Sequence, residues 1–180
     1  MAQFLKLELP SNRVMKAERQ KQEFKKFKEL VEKIKTGILI TKSAAGELKG
    51  RPMATSEVDE NGNLWFFTNE FSSKVDEISH NNEVFISYAA NDDNNYVVVT
   101  GNAFINDDKA KMKELWNPIV KAWFPEGLED PRLTLLKVEP TEVEYWTDTS
   151  SKIVILFKML SSIMKGKTYN DTEHGKVDVS

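Results

Sequence analysis

The sequence predicts a β-rich α+β fold, a six-stranded antiparallel β-barrel with flanking helices. Three observations carry this. Short apolar segments of strand length follow one another through turn-like connections between Gly37 and Trp146. Strict strand–helix–strand alternation is absent, which argues against a doubly wound parallel sheet. Helical periodicity is confined to the two ends and one insertion, and closing the strands into a barrel removes the exposed edges they would otherwise leave.

Each element has its own signal. Residues 1–20 read as an N-terminal arm, loose through Met1–Arg13. Residues 21–165 read as one domain and residues 166–180 as a polar tail. Phe24, Phe27, Leu30, Val31 and Ile34 recur at helical spacing with Lys and Glu between them, giving an amphipathic helix that ends near Gly37. Ile38, Leu39 and Ile40 form a buried-strand run within Gly37–Lys42. Arg51–Val58 and Leu64–Asn69 read as a hairpin joined at Asn61-Gly62, a pair that tolerates positive φ and marks a type I′ turn. Ser73, three residues before Asp76, has the spacing of a helix cap. Val84–Ala89 alternates as a strand. Asp92-Asp93-Asn94-Asn95 reads as a turn, and Tyr96–Ile105 as a long strand that Gly101 lets bend or approach a neighbour closely. Asp107 or Asp108 caps a helix running to about Trp116. Strands over Leu133–Val138 and Glu142–Trp146 flank Pro140, and an apolar-rich helix spans Lys152–Lys165.

Composition removes several function classes. The chain has 180 residues, enough for one domain with a sizeable core. Its net charge is −3, from 25 basic and 28 acidic side chains, so no basic excess exists to neutralise a nucleic-acid backbone. With no cysteine it has neither disulfides nor thiolate metal ligands. The first twenty residues lack the apolar core of a signal peptide, and Ile153–Met164 is too short and too polar to span a bilayer. A cytoplasmic protein is expected, with no membrane or nucleic-acid partner. The two histidines are His80, at a helix end, and His174, in a tail over Asn170–Ser180 expected to be disordered. No nucleophile elbow, Walker loop or dinucleotide fingerprint occurs.

Arg51, Thr68, Ser72, Ser73 and Lys74 form the main candidate constellation. If the strand ends and the helix start converge, two cations, three hydroxyls and free helix N–H groups would suit a phosphate. The plainer reading is a capped surface helix with a solvated Lys74. Trp65, Phe66 and Phe67 make both faces of their strand apolar. Core packing explains at least one face, and a planar ligand could use the other. Trp146 shares a strand face with Glu142 and Glu144, so it reads as a subunit contact or a ligand wall. Trp116, Trp123 and Phe124 read as a satellite core under a long loop, or as a lid.

Arg51-Pro52-Met53, Trp65-Phe66-Phe67-Thr68-Asn69, Ser72-Ser73-Lys74, Val99-Thr100-Gly101 and Glu144-Tyr145-Trp146 occur in the order and at about the spacing of the pyridoxamine 5′-phosphate oxidase-like proteins, which are FMN-binding split barrels. The chain resembles that family over roughly Phe24–Trp146. Trp123-Phe124-Pro125-Glu126-Gly127 with Asp130-Pro131 resembles its general stress protein branch. The resemblance implies a split barrel and a homodimer with FMN at the subunit interface. It implies Arg51, Ser72, Ser73 and Lys74 at the flavin phosphate. Pro52, Met53, Phe67, Thr68 and Tyr96 would lie along the flavin, with Trp146 reaching over from the partner subunit. It also exposes departures. Ser56 stands where the oxidases carry a substrate-binding Lys, Lys109–Phe124 holds no Arg, and Thr147-Asp148-Thr149-Ser150-Ser151-Lys152 replaces their Arg-x-His-x-Arg motif. Ser73 replaces an Arg, and Tyr96 a Gln. The expectation is a flavin-dependent oxidoreductase without the vitamin B6 substrate site, its small-molecule redox partner and catalytic residues unidentified. The alternative is a flavin-binding protein without turnover, serving as store, sensor or scaffold; a haem or deazaflavin split barrel is a third reading.

Overall fold

In the computed structural model, residues 12–148 and 172–177 are described, and the helix expected over Lys152–Lys165 lies outside them. Helix α1 spans Asn12–Ile34, so helix begins inside the stretch read as an arm. It buries Phe27, Leu30 and Val31 on the core. Lys35, at φ 65°, ends it by donating its N–H to the Val31 carbonyl.

Strands β1 (Thr36–Lys42), β2 (Leu48–Ala54), β3 (Glu57–Val58), β4 (Leu64–Asn69), β5 (Glu83–Ala90), β6 (Asn95–Asn106) and β7 (Leu133–Asp148) pair in the order β2-β1-β5-β6-β7-β4-β3. Strand β8 (Thr172–Val177) pairs with β7. All ladders are antiparallel, and the sheet curls into a half-barrel. The β-rich α+β architecture is as expected, with more strand segments than six. Inward side chains of every main strand meet in one cluster that includes Leu39, Met53, Phe66, Ile86, Tyr88, Val99, Val138 and Tyr145.

The connections around Arg51 differ from the sequence reading. β2 pairs with β1, Thr36 facing Ala54 and Leu39 facing Arg51. The hairpin with β4 is left to Glu57 and Val58 alone. Its turn has positive φ at Gly62 but not at Asn61, so it is a longer Gly-bulged loop rather than type I′. The Asp59 carboxylate holds it, accepting the N–H groups of Asn61 and Asn63 and the Trp65 indole N–H, each at 2.9 Å. The same loop type, with Gly46 at φ 84°, joins β1 to β2.

β7 is one strand where two were expected. Leu133–Val138 pairs with β4 and Val143–Asp148 with β8. Pro140 falls between the two halves, where its missing N–H breaks neither ladder. Opposite it, the β6 register shifts between Thr100 and Gly101. The tail over 170–180 was read as disordered but contributes β8.

Helix α2 spans Ser73–His80 and α3 spans Lys109–Leu115. Asp108 caps α3 with its carboxylate on the N–H groups of Ala110 and Lys111. The segment from α3 to Asp130 packs Met112, Val120 and Phe124 on Trp65 of β4, with Leu133 and Leu135 of β7 beside them. The satellite-core reading of that insertion holds for Phe124 and, half-buried, for Trp116, whereas Trp123 is 77% exposed and takes no part in it; the cluster covers the outer face of β4. No helix among the described residues is long and apolar enough to cross a membrane.

Gly101 is required by close approach: a Cβ there would lie 2.5 Å from the Glu139 carbonyl oxygen, an atom of the backbone. Gly101→Ala is expected to cost roughly 1–3 kcal/mol, read as a lower urea midpoint at unchanged slope.

Candidate functional site

The end of β4, the inner face of β2 and the first turn of α2 meet at the split of the barrel. Thr68 follows Leu64 and Phe66 on the inward face of β4 and is buried. Asn69 then turns the chain: its side chain accepts the Phe71 N–H at 2.9 Å, and its carbonyl accepts the Ser72 hydroxyl at 2.7 Å. Ser72, not Ser73, is the N-cap of α2, and its side chain makes no capping bond. That hydroxyl is engaged elsewhere, so the first-turn N–H groups of Ser73 and Lys74 receive no cap from it.

Lys74 folds back onto this turn. Its ammonium donates to the Thr68 hydroxyl at 2.8 Å and to the Ser72 hydroxyl at 3.0 Å. Among the described residues it has no carboxylate partner. Burial, and then the nearby Arg51 charge, push its pKa below the ordinary lysine value. A half-buried cation held only by hydroxyls beside a second cation is an arrangement that an anion would complete.

Arg51 is the second cation. It shares the inward face of β2 with Met53, and its guanidinium donates to the Thr41 hydroxyl at 2.6 Å and to the Glu77 carboxylate at 2.7 Å. The Thr41 hydroxyl donates in turn to the same carboxylate oxygen at 2.5 Å. Burial raises the Glu77 pKa, but the bonds from Thr41 and Arg51 and the surrounding positive charge outweigh it, and the carboxyl stays below the ordinary range. With Arg51 and Lys74 positive and Glu77 negative, the pocket carries one net positive charge. Thr41 and Glu77 were missed from sequence. The available signals were the inward parity of Thr41 on β1 and the three-residue spacing from Lys74 to Glu77, which puts both on one side of α2.

The structure thus brings together Arg51, Thr68, Ser72 and Lys74, with Ser73 exposed on the same first turn. The other candidates lie elsewhere. The Met53 side chain joins the core cluster on the inward face of β2. Phe67 points to the opposite face of β4 from Thr68 and packs edge-on against Trp116, with ring centres 5.9 Å apart. Pro52 lies on the outer face of β2, opposite Ile38. Tyr96 and Trp146 face each other across β6 and β7, also on the outer face of the sheet. Among the described residues no cluster of three or more His, Asp or Glu could hold a metal ion.

The Pyridoxamine 5′-phosphate oxidase like family model matches residues 22–170. Protein bli-3 of Neurospora crassa is 28% identical over 134 residues, 69% of this chain and 64% of that one. The chain therefore spans somewhat under two thirds of that relative's length. General stress protein 26 of Bacillus subtilis is 28% identical over 106 residues, 56% of this chain and 75% of that protein. Among solved structures, the general stress FMN/FAD binding protein of Xanthomonas citri superposes with a TM-score of 0.64 at 25% identity, covering 73% of this chain and 92% of that one. General Stress Protein 26 of Bacillus anthracis gives 0.58 at 28% identity, covering 66% and 92%. A match over that span, together with the half-barrel fold, places this chain in the pyridoxamine 5′-phosphate oxidase-like family.

Proposed function

We propose that the chain binds FMN, its phosphate held by Lys74, Arg51, the Thr68 and Ser72 hydroxyls and the first turn of α2. The observation that carries this is the Lys74 ammonium, half-buried and bonded, among the described residues, to hydroxyls alone. The Xanthomonas citri neighbour's description as an FMN/FAD binding protein supports the flavin. A phosphate favours FMN over riboflavin, because only a charged group uses the two cations.

The site would need two copies of the chain. Arg51 and Thr68 face inward, whereas Tyr96 and Trp146 face outward on β6 and the second half of β7, so the two groups lie on opposite faces of the sheet. A ligand that meets both would take one group from each of two chains. The outer face also exposes Ile38, Phe85 and Tyr96, apolar surface that a second copy would cover. A homodimer with FMN along its seam accounts for both features.

Bound flavin supplies hydride and electron transfer, and the protein binds and orients it. The reading extends to a flavin-dependent oxidoreductase that does not act on vitamin B6 phosphates. Thr147, next to Trp146, is buried and donates to Asn95 at 2.5 Å, so the first residue of the segment that replaces the oxidases' Arg-x-His-x-Arg motif offers no charge to a substrate phosphate. Binding without turnover is the second reading. Its support is that Glu77, the one carboxylate of the pocket among the described residues, is committed to Arg51 and Thr41. Steady-state assays with NADH or NADPH and common acceptors separate the two, since turnover proportional to bound flavin excludes the second.

Two predictions test the site. Inorganic phosphate should raise the melting temperature of the wild type but not of Lys74→Met, following the concentration dependence of ligand linkage. Deprotonation of Lys74 removes the anion's partner, and its pKa is depressed. The stabilisation should therefore fade as pH rises, at a pH below the ordinary lysine value of 10.5. The protein should also take up FMN with a visible flavin spectrum. Lys74→Met should weaken FMN by about tenfold or more while changing riboflavin affinity little, as loss of a charge-assisted bond requires. A colourless protein that takes up no added FMN would overturn the proposal.

A further inference from the structure

Trp146 does not stand alone on the outer face. β8 pairs with β7 so that His174 lies directly opposite Trp146. The two rings stack with centres 5.0 Å apart and planes 15° from parallel. On the other side of Trp146, across β6, lies Tyr96. Three adjacent strands thus carry a row of rings, Tyr96, Trp146 and His174.

The register that makes this row is specified. Gly175 faces Tyr145, and a Cβ at that position would lie 2.2 Å from the Tyr145 ring. The Tyr145 hydroxyl is fixed by donating to the Glu23 carboxylate of α1. Lys176 pairs with Glu142 on the outer face. A slip of one residue would set His174 against Tyr145 on the inner side and break all three contacts.

We propose that His174 is a positioning residue of the flavin site. Its ring backs the Trp146 indole and holds it in the orientation in which the exposed indole surface meets the flavin ring of a neighbouring copy. A tryptophan on an open strand face loses rotamer freedom when it packs on a ligand. One already stacked on a neighbour has given up that freedom beforehand, so less binding energy is lost. The strand that delivers His174 is thereby part of the site, and the inference rests on the flavin-binding reading above.

The full chain is titrated with FMN and with riboflavin, following flavin fluorescence. His174→Ala should weaken both ligands by roughly three- to tenfold, because the ring and not the phosphate is affected, and should reduce the quenching of bound flavin. His174→Phe should restore both properties, and in a Trp146→Ala background the His174 substitution should have no further effect. An unchanged affinity and quenching in His174→Ala overturns the inference. So does a loss of the same size when Trp146 is already Ala, or a loss that His174→Phe does not rescue. Wild-type protein that binds neither ligand fails the flavin reading itself, whereas tight wild-type binding with a silent His174→Ala fails this inference alone. In ligand-free protein, His174→Ala should raise acrylamide quenching of tryptophan emission, and absence of that change counts equally against the stack.

Discussion

A curled antiparallel sheet has one inward face, and here that face is almost wholly used for a single core. The constraint decides where chemistry can sit. Polar groups can enter the inward face only at its ends, and only with partners supplied. At the split between β2 and β4 those partners are present: Thr41, Glu77, Thr68 and Ser72 satisfy Arg51 and Lys74 without a buried unpaired charge inside the barrel. Helix α2 closes that end, burying Ile78 and turning Lys74 and Glu77 toward the opening. The cationic pocket is therefore a product of how the barrel ends, and its rigidity comes from the core beneath it.

The two cations are not equivalent. Arg51 is anchored in a chain of charge-assisted bonds and has its own counter-ion. Lys74 makes its direct bonds, among the described residues, to hydroxyls, and burial together with the Arg51 charge outweighs the more distant attraction of Glu77 and lowers its pKa. In the proposed site an anion would gain most from Lys74, while Arg51 would contribute a fixed field and a shape. A site with two uncompensated cations would be strained without its anion.

Much of this was legible in the sequence, and the failures have physical causes. Thr68, Ser72 and Lys74 were readable because they flank one short turn and local spacing fixes their convergence. Gly101 was readable because a glycine inside a Val-rich strand has few other uses, and the structure shows a register shift and a close carbonyl there. For Phe67 the sequence left core packing and a ligand surface both open, and the structure packs it on Trp116; the core position of Met53 was not readable because it depends on which strand β2 pairs with. β2 was assigned to β4, while the structure pairs it with β1. The Asn-Gly signal was real but marked a longer loop, since Asp59 supplied bonds that made a second left-handed residue unnecessary. β8 was invisible because a six-residue polar strand carries no alternation of its own, and only the edge of β7 gives it a place.

β7 runs sixteen residues and serves two masters. Its first half closes the barrel with β4, and its second half receives the C-terminal strand, with a proline and a bulge at the joint. The half that supports β4, and with it Thr68, and the half that carries the aromatic row are thus separate stretches of one backbone. A change in the terminal strand therefore acts on the aromatic row and leaves the β4 ladder, and the cationic end it supports, in register.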